Sequence, residues 1–323
     1  MLFLFGDSNL NYRYIGNTSL YVSELCYGTM TFGASTDVKK SETIFNAALD
    51  AGINFFDTAE VYGGDLGFSE EILGKVMKGK RDKIILSSKV HGFEGHESHQ
   101  SRTEIIKTVE QSLKRLNTDY IDIYFLHWAD PYVRFEEKIS ALNELVQAGK
   151  IRYLGTSNHE AWLVEKMNLY AIDHNLAPIS LMQEIYNPID YDVSQEKFSL
   201  AKDSNLGIMV YSPLAGGFLT GKYEQNKSKP KGSRGAINMD WESKRWKFRF
   251  SDYGFEMLEL LKKISKKNNA TIAQTALSYL LSFSEFSSII IGAKTSQQLE
   301  ENLRTYILHE EDIKKIQTLS FFI

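Results

Sequence analysis

The sequence predicts an α/β fold in which a single chain closes into a (β/α)8 TIM barrel. Eight short, β-rich apolar runs alternate with longer segments of helical period. No Pro/Gly-rich linker or low-complexity tract divides the 323 residues. A Gly-x-Gly-x-x-Gly turn does not follow the first run, and no Gly-x-x-x-x-Gly-Lys-Ser/Thr loop occurs anywhere. Buried strands joined by helical crossovers make parallel sheets, and eight such units without a linker fit one closed barrel better than two doubly wound domains.

In chain order the runs are 25–27, 53–56, 84–86, 121–126, 151–154, 179–182, 207–211 and 288–291. A helix is predicted over 38–51, where Ile44, Ala47, Ala48 and Ala51 recur at helical spacing before Gly52 stops it. Helices follow over 69–77 and over 103–116, where Ile106, Val109 and Leu113 form one stripe. The segment 135–148 carries Ile139, Leu142, Leu145 and Val146 and stops at Gly149. Further helices are expected over 161–174, 193–204, 271–281 and 296–304, with a short one at the C-terminus. Residues 12–323 are assigned to the barrel and 1–11 to an N-terminal extension.

Composition narrows the function. With 37 basic and 41 acidic side chains the net charge is −4, which argues against a nucleic-acid binder working by global electrostatics. The single cysteine, Cys26, excludes a disulfide framework and any multi-cysteine metal site, and as part of the first run it reads as core. No apolar stretch approaches the ~20 residues that cross a bilayer. The apolar start Met1-Leu2-Phe3-Leu4-Phe5 lacks a basic leader and breaks at Gly6-Asp7, so no secretory signal is expected. A cytoplasmic, reduced protein is the expectation.

The residues that end the runs carry the most information. The second run ends in Asp57, the third in Lys89, the fourth in His127, the fifth in Ser157-Asn158, the sixth in Gln183 and the seventh in Tyr211. In a parallel barrel all strand C-termini open on one face, where such barrels carry their chemistry. Singly, each has an ordinary reading: His127 as a satisfied, half-buried histidine, Lys89 as a surface lysine, Tyr62 as a loop aromatic. Together they form a proton-transfer group. A phenol has a pKa of about 10; an adjacent ammonium lowers it, and a carboxylate behind the lysine keeps that ammonium charged and oriented. The histidine can then hydrogen-bond a carbonyl oxygen beside the tyrosine hydroxyl.

The segments Gly52-Ile53-Asn54-Phe55-Phe56-Asp57-Thr58-Ala59-Glu60-Val61-Tyr62, Leu126-His127-Trp128, Gly155-Thr156-Ser157-Asn158 and Tyr211-Ser212-Pro213-Leu214-Ala215-Gly216-Gly217 resemble the aldo-keto reductases, in the same order and over nearly the whole chain. The resemblance implies a barrel with cofactor-covering loops that uses NADP(H), preferred over NAD(H), without a Rossmann domain. It carries the family's tetrad onto Asp57, Tyr62, Lys89 and His127, with Tyr62 as general acid in carbonyl reduction and base in alcohol oxidation. It assigns the nicotinamide carboxamide to Ser157, Asn158 and Gln183, and the ring stack to Tyr211. The pyrophosphate would lie along Ser212, Pro213, Leu214, Ala215, Gly216 and Gly217, a stretch that by itself reads as an ordinary turn. The adenosine end would lie on Gly292, Lys294, Thr295, Gln298, Glu301 and Asn302. This sequence departs from one common family form there: Gln298 matches its helix arginine and Gly292 its lysine. Lys294 and Thr295 are then the expected phosphate contacts.

Other features have weaker readings. His91, His96 and His99 with Glu94 and Glu97 suggest a loop beside the substrate pocket rather than a metal site. The segment 227–249 holds Lys227, Lys229, Lys231, Arg234, Lys244, Arg245, Lys247 and Arg249 against Asp240 and Glu242, interleaved with Trp241, Trp246 and Phe248. It is either a flap over cofactor phosphates, as in the family, or a solvated, partly ordered loop. Met30, Phe32, Phe93 and Trp128 are either pocket walls or packing beneath loops. The expected partner is a small carbonyl or alcohol substrate, with no nucleic acid, membrane or metal. An NADP-binding regulatory subunit with an intact tetrad, or a lyase forming a Schiff base on Lys89, are the alternatives.

Overall fold

The computed structural model describes residues 10–91, 100–190, 195–237 and 243–320. Its chain begins with an antiparallel hairpin of β1 (Tyr12–Tyr14) and β2 (Tyr21–Ser23). The barrel strands follow: β3 (Leu25–Gly28), β4 (Phe55–Asp57), β5 (Ile85–Val90), β6 (Ile121–Leu126), β7 (Ile151–Ser157), β8 (Ile179–Ile185), β9 (Gly207–Tyr211) and β10 (Phe286–Ile291). All pair in parallel and in sequence, and β10 closes on β3, so the fold is a (β/α)8 TIM barrel.

Helices α1 (Val38–Asp50), α2 (Phe68–Val76), α3 (Arg102–Leu116), α4 (Phe135–Gln147), α5 (Ala161–Asp173) and α6 (Gln195–Asp203) cross between strands, as the periodicity predicts. Their starts are chemically marked where a short polar side chain precedes the helix. Asp37 accepts the Lys40 N–H, and Ser101 the Glu104 N–H. Beyond β9 lie α7 (Ser243–Arg249), α8 (Asp252–Lys267) and α9 (Ile272–Leu281), with α10 (Ser296–Leu303) and α11 (Glu310–Ser320) after β10. Thr271 and Gln274 form a full capping box on α9.

Three elements lie outside the expected alternation. The hairpin places Ile15, Leu20 and Val22 in an inner core with Cys26, Phe55, Ile123, Phe125, Leu181 and Met209. It stays there because Arg13 donates to Phe283 O and Phe286 O at 2.7 Å and Leu281 O at 2.8 Å, satisfying carbonyls from the end of α9 to the start of β10. Helix α8 has its own amphipathic face, Met257, Leu258, Leu261 and Ile264, all buried. Helix α7 occupies the end of the basic segment, where a solvated loop was one expectation. Its Arg249 is fully buried, with Nε 2.8 Å from Asp190 Oδ2.

Several strands run longer than their apolar runs. Strand β5 continues through Ser87, Ser88 and Lys89, and β8 through Gln183 and Glu184. The alternation explains why these polar residues are tolerated. Leu86, Tyr124, Met182 and Val210 face the helices, whereas Phe55, Ile123, Leu181 and Met209 fill the interior. Two residues beyond Phe55, Leu181 and Met209, and four beyond Ile123, the same inward face presents Asp57, Gln183, Tyr211 and His127, because side chains alternate with period two. The mouth is thus the continuation of the barrel's own inner surface.

Candidate active site

The Lys89 ammonium lies 2.6 Å from Asp57 Oδ2, 2.8 Å from Thr58 O and 3.5 Å from the Tyr62 hydroxyl. Both ends of the ion pair are out of water, with side-chain exposures of 0% for Lys89 and 3% for Asp57. The other oxygen of Asp57 accepts from Ser87 Oγ at 2.8 Å and from Gln183 Nε2 at 3.0 Å, so the carboxylate is fixed from β5 and β8 at once. His127 is buried, and its ring meets that of Tyr62 edge-on, 5.9 Å between centroids at 85°. The structure therefore brings all four tetrad positions together.

Burial works against the Lys89 ammonium, but the Asp57 carboxylate and the Tyr62 hydroxyl outweigh it and hold the amine above the usual lysine range. Burial raises the Tyr62 phenol above its ordinary value, and Lys89 pulls it back only in part, with Asp57 pushing upward again. The ammonium acts in the direction expected from sequence, but desolvation is the larger effect. Burial, then the charges of Lys89 and His91, hold His127 well below the ordinary histidine range, so its ring is neutral near pH 7.

Around this group stand Ser157, Asn158, Gln183 and Tyr211. Asn158 adopts a left-handed φ of 59°. Its amide donates to Ser157 Oγ at 2.9 Å and His127 O at 3.2 Å and accepts from the Tyr211 hydroxyl at 2.8 Å. Hydroxyl and amide groups beside a flat, half-exposed ring are the donor set a nicotinamide carboxamide requires.

The following segment has positive φ at four of its six residues, Ser212 (φ 56°), Ala215 (φ 50°), Gly216 (φ 66°) and Gly217 (φ 91°). Ser212 O is held by Asn187 Nδ2 at 3.0 Å, while Pro213 is buried and Leu214 half-buried. A Cβ on Gly217 would stand 2.7 Å from Lys222 Nζ, and one on Gly216 2.9 Å from Trp246. Lys222 thus places an ammonium against this turn, and the charge of Arg234 reaches both Lys222 and Tyr62. Lys222 has no strand-end position to mark it, and Arg234 is one cation among many in the basic segment. Close approach to Gly217 distinguishes Lys222, and a charge that reaches Tyr62 distinguishes Arg234.

At the far end, Thr295 caps α10 by accepting the Gln298 N–H at 3.2 Å, and Gln298 Oε1 accepts the Lys294 N–H at 2.8 Å. Asn302 donates to Gly292 O at 3.3 Å, and Glu301 takes Gln297 Nε2 at 3.1 Å. The Lys294 side chain is exposed. Cationic Lys222, Arg234 and Lys294 and the turn at Gly216-Gly217 fit a dinucleotide laid from the mouth to α10.

Phe93, Glu94, His96, Glu97, His99, Asp240, Trp241 and Glu242 lie outside the described residues. His91 is described: its ring lies 6.1 Å from that of His127, at the mouth. Among the described residues no group of His, Cys, Asp or Glu is arranged to hold a metal ion, and no helix is long and apolar enough to cross a membrane. Phe32 packs in the core, whereas Trp128 stacks on His127 at 5.9 Å.

Residues 24–320 match the model of the Aldo/keto reductase family. Aldo-keto reductase YhdN of Bacillus subtilis is 34% identical over 96% of this chain and 93% of its own length. A probable voltage-gated potassium channel subunit beta of Oryza sativa is 33% identical, covering 96% of each chain. L-glyceraldehyde 3-phosphate reductase of Escherichia coli is 31% identical over 91% of this chain and 87% of its own. A barrel whose strand ends gather an aspartate, a lysine, a tyrosine and a histidine, matched by this family along nearly all its length, belongs to the aldo/keto reductase family of oxidoreductases.

Proposed function

We propose that the protein catalyses NADP(H)-dependent reduction of an aldehyde or ketone, or the reverse oxidation of an alcohol, with residues 12–323 as the reductase unit. The observation that carries this reading is the chain Asp57–Lys89–Tyr62, a buried ion pair reaching a half-buried phenol, with Lys89 Nζ 2.6 Å from the carboxylate and 3.5 Å from the phenol. When bound, the nicotinamide supplies the hydride. Tyr62 donates its proton to the carbonyl oxygen, and Lys89 offsets the negative charge then forming on the phenol oxygen. Asp57 keeps Lys89 charged and aimed. Neutral His127 gives the substrate oxygen a second hydrogen bond without competing as an acid.

Ser157, Asn158 and Gln183 would hold the carboxamide against Tyr211. Lys222 and Arg234 would meet the pyrophosphate beside Ser212–Gly217, with Lys294 and the Thr295-capped α10 at the 2′-phosphate. The protonated state of Lys89 counts against a Schiff-base lyase, which needs a free amine.

The test is a panel of aldehydes, ketones and sugars followed by loss of NADPH absorbance. Turnover of at least one carbonyl class supports the reading. Tight NADPH binding with no turnover across the panel would point instead to a regulatory subunit, in line with the channel-subunit relatives.

A further inference from the structure

We propose that Glu60 is a positioning residue for this reaction, a clip that sets the distance between Tyr62 and Lys89. The inference rests on the carbonyl-reductase reading of the site. After Thr58, whose N–H still pairs with Ser87 O at 3.0 Å, the chain from β4 turns away into the Tyr62 loop. The end of β5 thereby loses its neighbour on that side. Glu60 replaces it: Oε1 accepts the His91 N–H at 2.7 Å. On the other side of the same strand end, Val90 O accepts the His127 N–H at 3.1 Å. The loop is tied as well, since Glu60 O accepts the Gly67 N–H at 2.5 Å and Tyr62 O the Ser69 N–H at 3.0 Å.

Three of the four tetrad residues therefore sit next to this one clip. Tyr62 is two residues beyond Glu60, Lys89 two residues before His91, and His127 is bonded to the residue preceding His91. Beside the Glu60 carboxylate, the Lys89 ammonium ties the β5 end to the loop through Thr58 O and the Tyr62 hydroxyl.

Glu60 is 5% exposed. Burial pushes its carboxyl up to about 7, the His91 N–H and Arg115 pull it down, and the Glu70 and Glu104 charges push it up. Tyr124, on β6, also feels its charge. Glu60 Oε1 serves as a hydrogen-bond acceptor, a role that the carbonyl oxygen of an uncharged amide can imitate.

The experiment uses the full chain with Glu60→Gln, Glu60→Asp and Glu60→Leu, read by single-turnover NADPH oxidation with 4-nitrobenzaldehyde and by amide hydrogen exchange. Glu60→Gln keeps the acceptor and should stay within about threefold of wild type. Glu60→Asp and Glu60→Leu should slow the step by about tenfold or more, because misplacement of about 1 Å can cost up to about 10²-fold. The NADPH Kd should stay within about twofold in all three, and exchange at His91 should rise only in the Asp and Leu variants.

A wild-type rate in Glu60→Asp or Glu60→Leu overturns the proposal, as does a Glu60→Gln that falls with them. If Glu60→Leu does not fold, Glu60→Asp carries the same test. Should the wild type reduce no carbonyl at all, the reductase reading fails. The His91 exchange data then still decide whether the clip exists.

Discussion

The two ends of the proposed dinucleotide site are built on opposite principles. At the mouth, Asp57, Lys89 and Gln183 are bonded to one another across strands, and His127 is buried beside them. At α10, Lys294, Gln298 and Glu301 are exposed and bond mainly to their own helix. Removing one partner of a buried pair strands the other in a medium that cannot solvate it, whereas water readily replaces an exposed contact. The mouth therefore couples chemistry to folding, and the far end is free to vary in cofactor preference without disturbing the barrel.

The largest effect should come from Tyr62→Phe, which removes one oxygen from the mouth. Turnover is expected to fall by about 10²–10⁴-fold while NADPH still binds, measured by steady-state kinetics and fluorescence titration. Full activity in this variant would end the general-acid role.

Lys89→Met tests the coupling directly. It leaves Asp57 as an unpaired buried carboxylate, so activity should be lost and stability should drop by about 3–5 kcal/mol in urea unfolding. Adding Asp57→Asn to it should restore part of the stability and none of the activity. A Lys89→Met protein as stable as wild type would break the contrast between the two ends.

Acid sensitivity should also originate at the mouth. His159, directly after Ser157-Asn158, is 1% exposed, and its Nδ1 lies 2.8 Å from Ser157 O. Burial lowers it to about 4, against the pull of that hydrogen bond. Its contribution is present above the unfolded value near 6.5 and is lost as pH falls from there toward 4. Thermal midpoints should decline over that window, and His159→Gln should flatten the decline. An unchanged slope in the variant would assign the acid loss elsewhere.

The smallest effect belongs to the far end. Lys294→Ala should reduce kcat/KM for NADPH by about tenfold, roughly 1.4 kcal/mol, with NADH and the melting temperature unaffected. A wild-type protein that clearly prefers NADH would defeat the phosphate role of Lys294.

Much of this was legible in the chain. Eight apolar runs mark the eight barrel strands, and run ends such as Asp57 and Lys89 mark the site, because a strand's inward face repeats every second residue. The strand limits were less so, since Ser87, Ser88 and Glu184 break the apolar pattern while remaining in strands. Ser88 is satisfied by Glu70 on α2 at 2.5 Å, and Glu184 by Lys197 on α6 at 2.7 Å, partners that periodicity does not reveal. The inner plug at Ile15, Leu20 and Val22 and the burial of Arg249 against Asp190 were hidden for the same reason.

The sequence by itself determined the barrel, the order of its units and the residue types at its mouth, all of which follow from local period and from residues adjacent in the chain. Only the tertiary structure decided which groups touch: Lys89 with Asp57 and Tyr62, Gln183 with Asp57, Lys222 with the Gly217 turn, and Glu60 with His91. Those contacts join positions far apart in the chain. Their energies depend on how completely water is excluded between them, a quantity that exists only once the barrel has closed.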